Sequence, residues 1–149
     1  MPAAEVFAPA LETQTTTGII GYRLRRAQLG VFQRFNAAFA DLDLRPAEYS
    51  VLSLIDANPG RKQTEIAEVL GIKRANFVAL VNGLDARGLT ERRSAHGDKR
   101  ANALYLTTEG RRFLAEAHIV QERFESDCIE RIGGPDARDM LIKLLDQLA

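Results

Sequence analysis

The sequence is poor in the residues that build disulfides and metal sites. It contains one cysteine, Cys128, and two histidines, His96 and His118. One cysteine cannot form an internal disulfide framework, which is typical of a protein of a reducing compartment. Two isolated histidines do not supply the clustered ligands that a Cys/His metal site needs. We therefore expect no metal, no cofactor and a cytoplasmic location.

Long apolar runs are also missing. No stretch approaches the roughly 18 residues that a membrane-spanning helix needs, so we expect no membrane association, although the 46% of hydrophobic residues can form a packed core. Residues 1–17 lack a basic segment followed by an apolar block, and we expect no secretory signal there. The sequence contains no paired nucleophile and base and no glycine-rich phosphate loop, so it predicts a protein that is not an enzyme.

The charges are unevenly distributed along the chain. The formal net charge is zero, which by itself argues against a general polyanion-binding protein. Residues 61–100 nevertheless contain nine Lys/Arg and five Asp/Glu, and residues 21–45 contain five basic and two acidic residues. Residues 101–149 show the opposite balance, with six basic and nine acidic residues. Positive charge concentrated in the first two segments favours a surface that faces phosphates.

A helix-turn-helix followed by a basic hairpin is predicted in the middle of the chain. Apolar spacing predicts a short helix over residues 63–70, a turn at Gly71-Ile72 and a second helix over residues 73–87. Two antiparallel strands should follow, with the run Gly-Asp-Lys-Arg at residues 97–100 forming the tip. Such an arrangement of helix, turn, helix and wing can place one helix in the major groove of DNA and a ribbon beside it.

The ends of these elements carry recognisable stop and start residues. Gly88-Leu89 predicts a Schellman end for the second helix, with the leucine folding back on it. The strands should cover residues 89–93 and 101–106. Thr107 should cap a long helix over residues 108–132.

Further helices are predicted on both sides of this unit. A stripe of apolar residues predicts an amphipathic helix over residues 18–41, which Thr17 can cap. Pro46 suits the first turn of the next helix, and Asn58-Pro59-Gly60 should end that helix. Asp136 should cap a last helix whose apolar stripe is too short to be stable alone. Spare apolar faces at both ends of the chain predict a dimer.

The predicted fold class is mostly α with a small β-wing: a winged helix-turn-helix lobe plus terminal helices that form a dimerisation region. We expect a flexible N-terminal arm over residues 1–17 and a dimerisation helix over residues 18–44. The DNA-binding lobe should cover residues 45–107, and C-terminal dimerisation helices should cover residues 108–149. A symmetric pair of such lobes would bind an inverted repeat with half-sites about one helical turn apart.

Five fragments carry a family resemblance, namely residues 44–49, 63–67, 84–92, 98–100 and 106–110. In their order and spacing they resemble the MarR family of winged-helix transcriptional regulators. The chain resembles this family from about Gly18 to its C-terminus. The resemblance implies a homodimer that binds a palindromic operator in double-stranded DNA, usually as a repressor, and it implies no enzymatic activity. Many members release DNA when a small, often aromatic, molecule or an oxidant reaches the dimer.

The second helix of the helix-turn-helix carries the candidate base contacts. Arg74 can bond guanine at two atoms and Asn76 can do the same with adenine, while Lys73 suits a phosphate. An ordinary solvent-facing helix is the alternative, and the poor helix former Asn76 argues against it. All candidate DNA contacts, those of the wing included, are Lys73, Arg74, Ala75, Asn76, Val78, Asn82, Arg92, Arg93, Asp98, Lys99 and Arg100.

The tip of the wing is expected to reach the minor groove. The resemblance implies that Arg100 enters this groove and that Asp98 steadies the wing by pairing with a basic residue. A narrow minor groove has a strongly negative potential, which suits an arginine. Asp98 could equally be a turn residue after Gly97, and His96 is expected to be exposed in the same turn. The basic wing residues expected to contact phosphates are Arg92, Arg93 and Lys99.

A small-molecule effector is the first of two possible regulators. The resemblance implies a pocket between the first long helix, the helix after it, the long C-terminal helix and the DNA lobe. Aromatic and arginine side chains there would suit a hydrophobic acid or an aromatic acyl thioester, whose phosphates need cations. The candidates, each of which could instead be a core or surface residue, are Arg23, Arg26, Phe32, Phe35, Phe39, Tyr49, Phe113 and His118.

Redox sensing through Cys128 is the second possibility. A sensor cysteine must be ionised and accessible, whereas Cys128 is close in sequence to the acids Asp127 and Glu130, which disfavour a thiolate. The oxidant-sensing branch of the family carries its reactive cysteine near the N-terminus, so we expect Cys128 to be inert. A winged-helix module that binds only protein is a further alternative, and Asp98 and Arg100 favour DNA over it.

Overall fold

The computed structural model describes residues 10–95 and 98–149; the side chains of residues 95 and 98–101 lie outside this description, as does His96. The described chain is mostly α with one small antiparallel sheet, which confirms the predicted fold class. Its elements are α1 (Gln14–Thr17), α2 (Ile20–Ala38), α3 (Pro46–Ala57), α4 (Gln63–Val69), α5 (Arg74–Ala86), β1 (Thr90–Ala95), β2 (Asp98–Leu106), α6 (Thr108–Ile132) and α7 (Pro135–Asp146). None of the described helices is both long and apolar enough to cross a membrane.

The chain divides into two compact units, and the boundary between them lies after Arg34. In the first, the Glu12 carboxylate accepts the backbone N–H of Gln14 at 2.9 Å, at the start of the single turn α1. Thr17 is the last residue of α1, and α2 begins only at Ile20. The prediction that Thr17 caps the long helix was therefore wrong, because a local turn occupies this part of the expected arm.

The core of the second unit lies between α3, α5, α6 and the sheet. Helix α3 packs against α6 and β2, and α5 packs against β1. The expected inward residues Phe77, Val81 and Leu84 are all buried, while Leu80 is half-buried. The largest side chains with less than 2% exposure are Phe39, Val51, Leu52, Ile55, Phe77, Val81, Leu84, Leu104 and Leu114.

Helix α5 ends in the predicted Schellman motif. The backbone N–H of Leu89 donates to the carbonyl oxygen of Leu84 at 3.1 Å, and that of Gly88 donates to Asp85 at 2.9 Å. Gly88 has a φ of 71°, a conformation that is easy only for glycine. Gly71 closes α4 in the same way with a φ of 63°. The C-terminal ends of α4 and α5 are thus both closed by backbone hydrogen bonds.

The two strands of the wing extend further towards its tip than the sequence predicted. Strands β1 and β2 pair antiparallel from Thr90 opposite Leu106, with a register shift between Ser94 and Ala95. The pairing continues past this shift to Ala95 opposite Asp98, so the strands reach into the expected tip. The loop after α3 also joins the sheet, where the N–H of Gly60 donates to the Leu104 carbonyl oxygen at 2.9 Å.

Thr107 caps α6 as predicted and also fixes where the helix begins. Its hydroxyl accepts the backbone N–H of Gly110 at 2.9 Å and donates to the carbonyl oxygen of Gly88 at 2.6 Å. A Cβ at Gly110 would lie 1.9 Å from the carbonyl oxygen of Leu89, so no side chain fits there. The first turn of α6 is therefore docked on the chain that enters β1.

Helix α7 begins two residues earlier than predicted. Gly134 is its N-cap and Pro135 its first residue, so Asp136 lies inside the first turn. The prediction of Asp136 as the cap was wrong, because proline has no N–H to satisfy and its fixed φ suits the first helical position. Helix α7 packs against α6, and Arg138 pairs with Glu125 at 3.8 Å.

Candidate nucleic-acid interface

Helix α5 presents a polar, basic face to solvent. Its apolar stripe faces the core, whereas the positions between those residues are exposed or half-buried. Lys73 is the N-cap, and no Asp or Glu occurs from residue 69 to residue 84. An uninterrupted run without acids can approach phosphates closely. The exposed residues of this face are Lys73, Arg74, Ala75, Asn76, Ala79 and Asn82, with Val78 half-buried at its edge.

A polar network joins the C-terminal part of α5 to β1. The Arg92 Nε lies 3.4 Å from Asp85 Oδ2, and its Nη2 donates to Asn82 Oδ1 at 2.6 Å. The buried Thr90 donates its hydroxyl hydrogen to the other oxygen of the Asp85 carboxylate. The network brings the predicted DNA contacts Asn82 and Arg92 together. Asp85 and Thr90 were not among the predicted site residues.

Arg93 lies on the other side of β1 from Arg92. Its guanidinium carbon is 4.1 Å from the centre of the Tyr105 ring, and it pairs with Glu91. Its side chain is 58% exposed, against 26% for that of Arg92. Stacking on the ring and pairing with Glu91 together hold the guanidinium. Of the two arginines, Arg93 is the more exposed.

The wing tip carries three of the predicted DNA contacts. The backbone of Asp98, Lys99 and Arg100 belongs to β2, but their side chains lie outside the described residues. The expected minor-groove contact of Arg100, the steadying role of Asp98 and the phosphate contact of Lys99 stay predictions. The expected exposure of His96 falls outside the description as well.

Arg87 anchors the end of α5, a role that the sequence analysis missed. Its guanidinium donates to the carbonyl oxygens of Asp43 at 2.8 Å and Leu42 at 2.9 Å, and it lies 5.0 Å from the centre of the Phe113 ring. Asp43 has a φ of 45°, in the left-handed region. These contacts tie the C-terminal end of α5 to the turn before α3 and to α6. The only hint in the sequence was the arginine in the Leu-Asp-Ala-Arg-Gly-Leu run.

Two clefts border α5. One of about 330 Å³ lies between the start of α3 and the outer face of α5, and one of about 240 Å³ lies between α4 and α5. Neither is lined by a predicted effector residue. The first is lined by Arg45, Ala47, Glu48, Asn76, Ala79, Leu80 and Gly83, and the second by Gln63, Thr64, Ala67, Glu68, Ile72, Arg74 and Phe77.

An aromatic cluster collects four of the eight predicted effector residues. Phe35 stacks on Phe39 with ring centres 4.0 Å apart and meets the edge of Phe124 at 5.5 Å. Phe35 and Phe39 are 5% and 1% exposed, so they are core residues in this structure. The Tyr49 hydroxyl lies 2.6 Å from Nδ1 of the exposed His118. The polar pair at the margin of the cluster is therefore its accessible part.

The remaining candidate regulators lie on α6 and in the first unit. Phe113 is half-buried on α6 beneath the Arg87 guanidinium. Cys128 is half-buried on the same helix. The exposed side chains of the first unit that were predicted as effector contacts are Arg23, Arg26 and Phe32.

Comparison with known proteins places these features in a family. The MarR family model matches residues 42–101. A putative transcriptional regulatory protein for the hcr operon of Thauera aromatica is 31% identical over 132 residues, which are 88% of this chain and 79% of that protein.

Two solved structures of the transcriptional repressor CouR are similar over almost the whole chain. CouR bound to a 23-mer DNA duplex is 43% identical with a TM-score of 0.87, covering 94% of this chain and 99% of that one. CouR bound to p-coumaroyl-CoA is 44% identical with a TM-score of 0.85, covering 93% and 97%.

Proposed function

Because the chain belongs to the MarR family of winged-helix transcriptional regulators, we propose that it represses transcription by binding a DNA operator and that a small molecule controls this binding. The operator is an inverted repeat that a homodimer binds through α5 and the wing. The effector is an aromatic acyl-CoA thioester that releases the protein from DNA. The observation that carries the proposal is the exposed face of α5, which is basic and free of acids.

The DNA contacts follow from the position of each side chain. Arg74 and Asn76 lie in the first turn of α5, where recognition helices contact base edges. Lys73 precedes them and suits a phosphate. Arg93 is held on the Tyr105 ring within the wing. The similarity to CouR bound to a DNA duplex supports the same use of these elements here.

The homodimer is supported by the apolar side chains that the single chain leaves exposed. On α7, Met140 is 58% exposed and Leu144 51%, and Leu148, which follows the helix, is 59% exposed. A short helix with such a face needs a partner surface, because one exposed apolar stripe does not stabilise a 12-residue helix in water. A second copy of the chain supplies that surface and also accounts for an operator with two half-sites.

The effector class rests on the CouR structure with p-coumaroyl-CoA and on the chemistry of Tyr49 and His118. Their hydrogen-bonded pair lies beside stacked aromatic rings, an environment that suits a phenolic or other aromatic acyl group. Arginines are suited to the phosphates of such a thioester. Arg23 and Arg26, which are exposed in the first unit, stay predicted effector contacts.

The test starts with operator DNA selected by the purified protein from a random duplex pool. We expect the selected sequences to be inverted repeats and binding to weaken steeply with salt. p-Coumaroyl-CoA, free p-coumarate and CoA are then titrated against the complex in an anisotropy assay. Release by the thioester alone supports the proposal. Selection of no sequence would remove DNA binding from the proposal, and an intact complex with all three ligands would remove this effector class.

Arg100 provides the first variant. Arg100→Ala should weaken operator binding by about 1–3 kcal/mol, the usual size of one good contact to DNA. Anisotropy titration with the selected operator measures the change. The control is Arg112→Ala on α6, an exposed arginine that pairs only with Glu109 among the described residues. Equal affinities of Arg100→Ala and the unmodified protein would exclude the minor-groove contact.

Redox control is the alternative that the experiment must separate. Cys128 is half-buried within α6. If it is inert, peroxide at levels that oxidise exposed thiols should leave operator binding unchanged in both the unmodified protein and Cys128→Ser. If peroxide released the unmodified protein from the operator but did not release Cys128→Ser, the effector would be an oxidant and not the thioester. A module that binds only protein would fail the operator selection itself.

A further inference from the structure

Arg92 is held inside the lobe although its position on a wing strand suggests a phosphate contact. Its side chain is 26% exposed and interacts at two separate points. The Nε faces Asp85 Oδ2 at 3.4 Å, and the Nη2 donates to Asn82 Oδ1 at 2.6 Å. Thr90 holds the other oxygen of the same carboxylate. The positive charge therefore has a fixed counter-charge before any DNA arrives.

The contact with Arg92 decides which end of the Asn82 amide faces outward. A guanidinium has donors and no acceptor, so only the amide oxygen of Asn82 can face it. The amide nitrogen, with two donor hydrogens, is then left for an outside partner, because Asn82 is exposed. Bidentate recognition of adenine needs the oxygen as well as the nitrogen. The arrangement instead favours a contact in which Asn82 only donates.

The place of Asn82 on the helix indicates what accepts this hydrogen bond. Asn82 follows Arg74 by eight residues, about 12 Å along the helix axis at 1.5 Å per residue. Recognition helices read bases mainly with their N-terminal residues, so the C-terminal half lies nearer the DNA backbone. A phosphate oxygen is an acceptor only, which matches an outward-facing amide nitrogen.

We propose that Asn82 donates a hydrogen bond to an operator phosphate and that Arg92, together with Asp85, is the positioning residue that orients its amide. Arg92 then contributes to DNA binding without touching DNA. This differs from the two separate direct contacts that the sequence suggested. The inference rests on the proposed function, because it needs an operator.

The test combines a double-mutant cycle with the salt dependence of operator binding. Asn82→Ala should weaken binding about tenfold, as expected for a lost hydrogen bond to a charged group. Arg92→Gln should cause a similar loss, and the double variant should lose little more than either single variant. Because neither residue neutralises a phosphate directly, the slope of log K against log salt should stay unchanged in all three.

Lys73→Gln is the matched control for charge. It removes one positive charge, as Arg92→Gln does, but at an exposed position before α5 that is predicted to contact a phosphate. Its slope should fall by about 0.9, the value for one phosphate contact in duplex DNA. Arg92→Lys is a second control, because it keeps the charge but cannot bridge two groups with a rigid fork. We expect Arg92→Lys to behave like Arg92→Gln.

The acceptor on DNA is identified with modified operators. Replacing single phosphates by uncharged methylphosphonates should reveal one position at which the unmodified protein loses affinity and Asn82→Ala does not. Replacing purines by their 7-deaza analogues should reveal no such position. A purine that behaves in this way would overturn the phosphate assignment, because it would make Asn82 a base contact.

Two further results would overturn the positioning role of Arg92. The first is that the losses of operator affinity in the double-mutant cycle are additive. The second is that the salt slope of Arg92→Gln falls as much as that of Lys73→Gln. Thermal unfolding of each variant shows whether a loss of affinity comes from misfolding. Because Asn82 is exposed, Asn82→Ala still tests the phosphate contact if Arg92→Gln is unstable. An unmodified protein that selects no operator would instead contradict the proposed function.

Discussion

Helices α5 and α7 are nearly equal in length, yet they use their apolar residues in opposite ways. The apolar stripe of α5 is buried in the lobe, and its outer face is polar and basic. On α7 the apolar side chains themselves are exposed, Leu141 and Leu145 included. The first helix has its packing partner within its own chain, whereas the second leaves apolar surface for another molecule.

The difference teaches which kind of partner each surface is suited to. A basic face without acids fits a polyanion, because its positive charges attract phosphates. An exposed apolar stripe fits a protein surface, because burying it removes apolar area from water. The three predictions that follow test this contrast, from the largest expected effect to the smallest.

The core side of α5 should dominate stability. Leu84 is fully buried, so Leu84→Ala should lower the free energy of unfolding by about 2–5 kcal/mol through lost burial and the cavity left behind. Urea unfolding measures the change. Val69→Ala is the control, since Val69 is 72% exposed and should shift stability by less than about 0.5 kcal/mol. Equal effects of the two variants would contradict the assignment of the core.

The exposed side of α7 should control association. Leu141→Asp places a charge on the apolar face and removes a leucine whose burial is worth about 1.5–3 kcal/mol. Sedimentation velocity should show the dimer shifted towards monomers. Lys143→Ala, a change at an exposed polar residue of the same helix, should leave the dimer intact. If Leu141→Asp were as dimeric as the unmodified protein, this face would not be the interface.

The outer side of α5 should matter for DNA and not for folding. Arg74 is exposed in the first turn, so Arg74→Ala should weaken operator binding by about 1–3 kcal/mol while the unfolding midpoint stays unchanged. Anisotropy and thermal unfolding measure the two quantities on one sample. Arg112→Ala again serves as the control. A lowered midpoint with unchanged DNA affinity would reverse the roles of the two faces of α5.

The sequence predicted elements best where one local interaction determines them. The stop at Gly88 and the cap at Thr107 were both confirmed, since each depends on neighbouring backbone groups. Thr17 and Asp136 are also good capping residues, but a competing turn and a proline at the first helical position displaced them. A residue's preference for a cap therefore does not reveal which of several nearby positions will use it.

The candidate site was predicted less completely than the fold. Aromatic residues of the first long helix suggested a ligand pocket, yet Phe35 and Phe39 are core residues. Arg92 has the sequence context of a phosphate contact, yet it pairs with Asp85 within the lobe. Hydrophobic spacing shows that a face is apolar and charge shows that a residue is basic. Neither shows which group of the folded chain lies opposite.

The sequence by itself determined the order of the elements, the apolar stripe of α5 and the absence of acids from its outer face. These features depend on residue type and on periodicity along one segment. Only the tertiary structure decided that Arg87 binds the carbonyl oxygens before α3 and that Arg92 turns inward to Asn82. Both contacts join residues on different elements, and such distances are set by how the helices and the wing pack together.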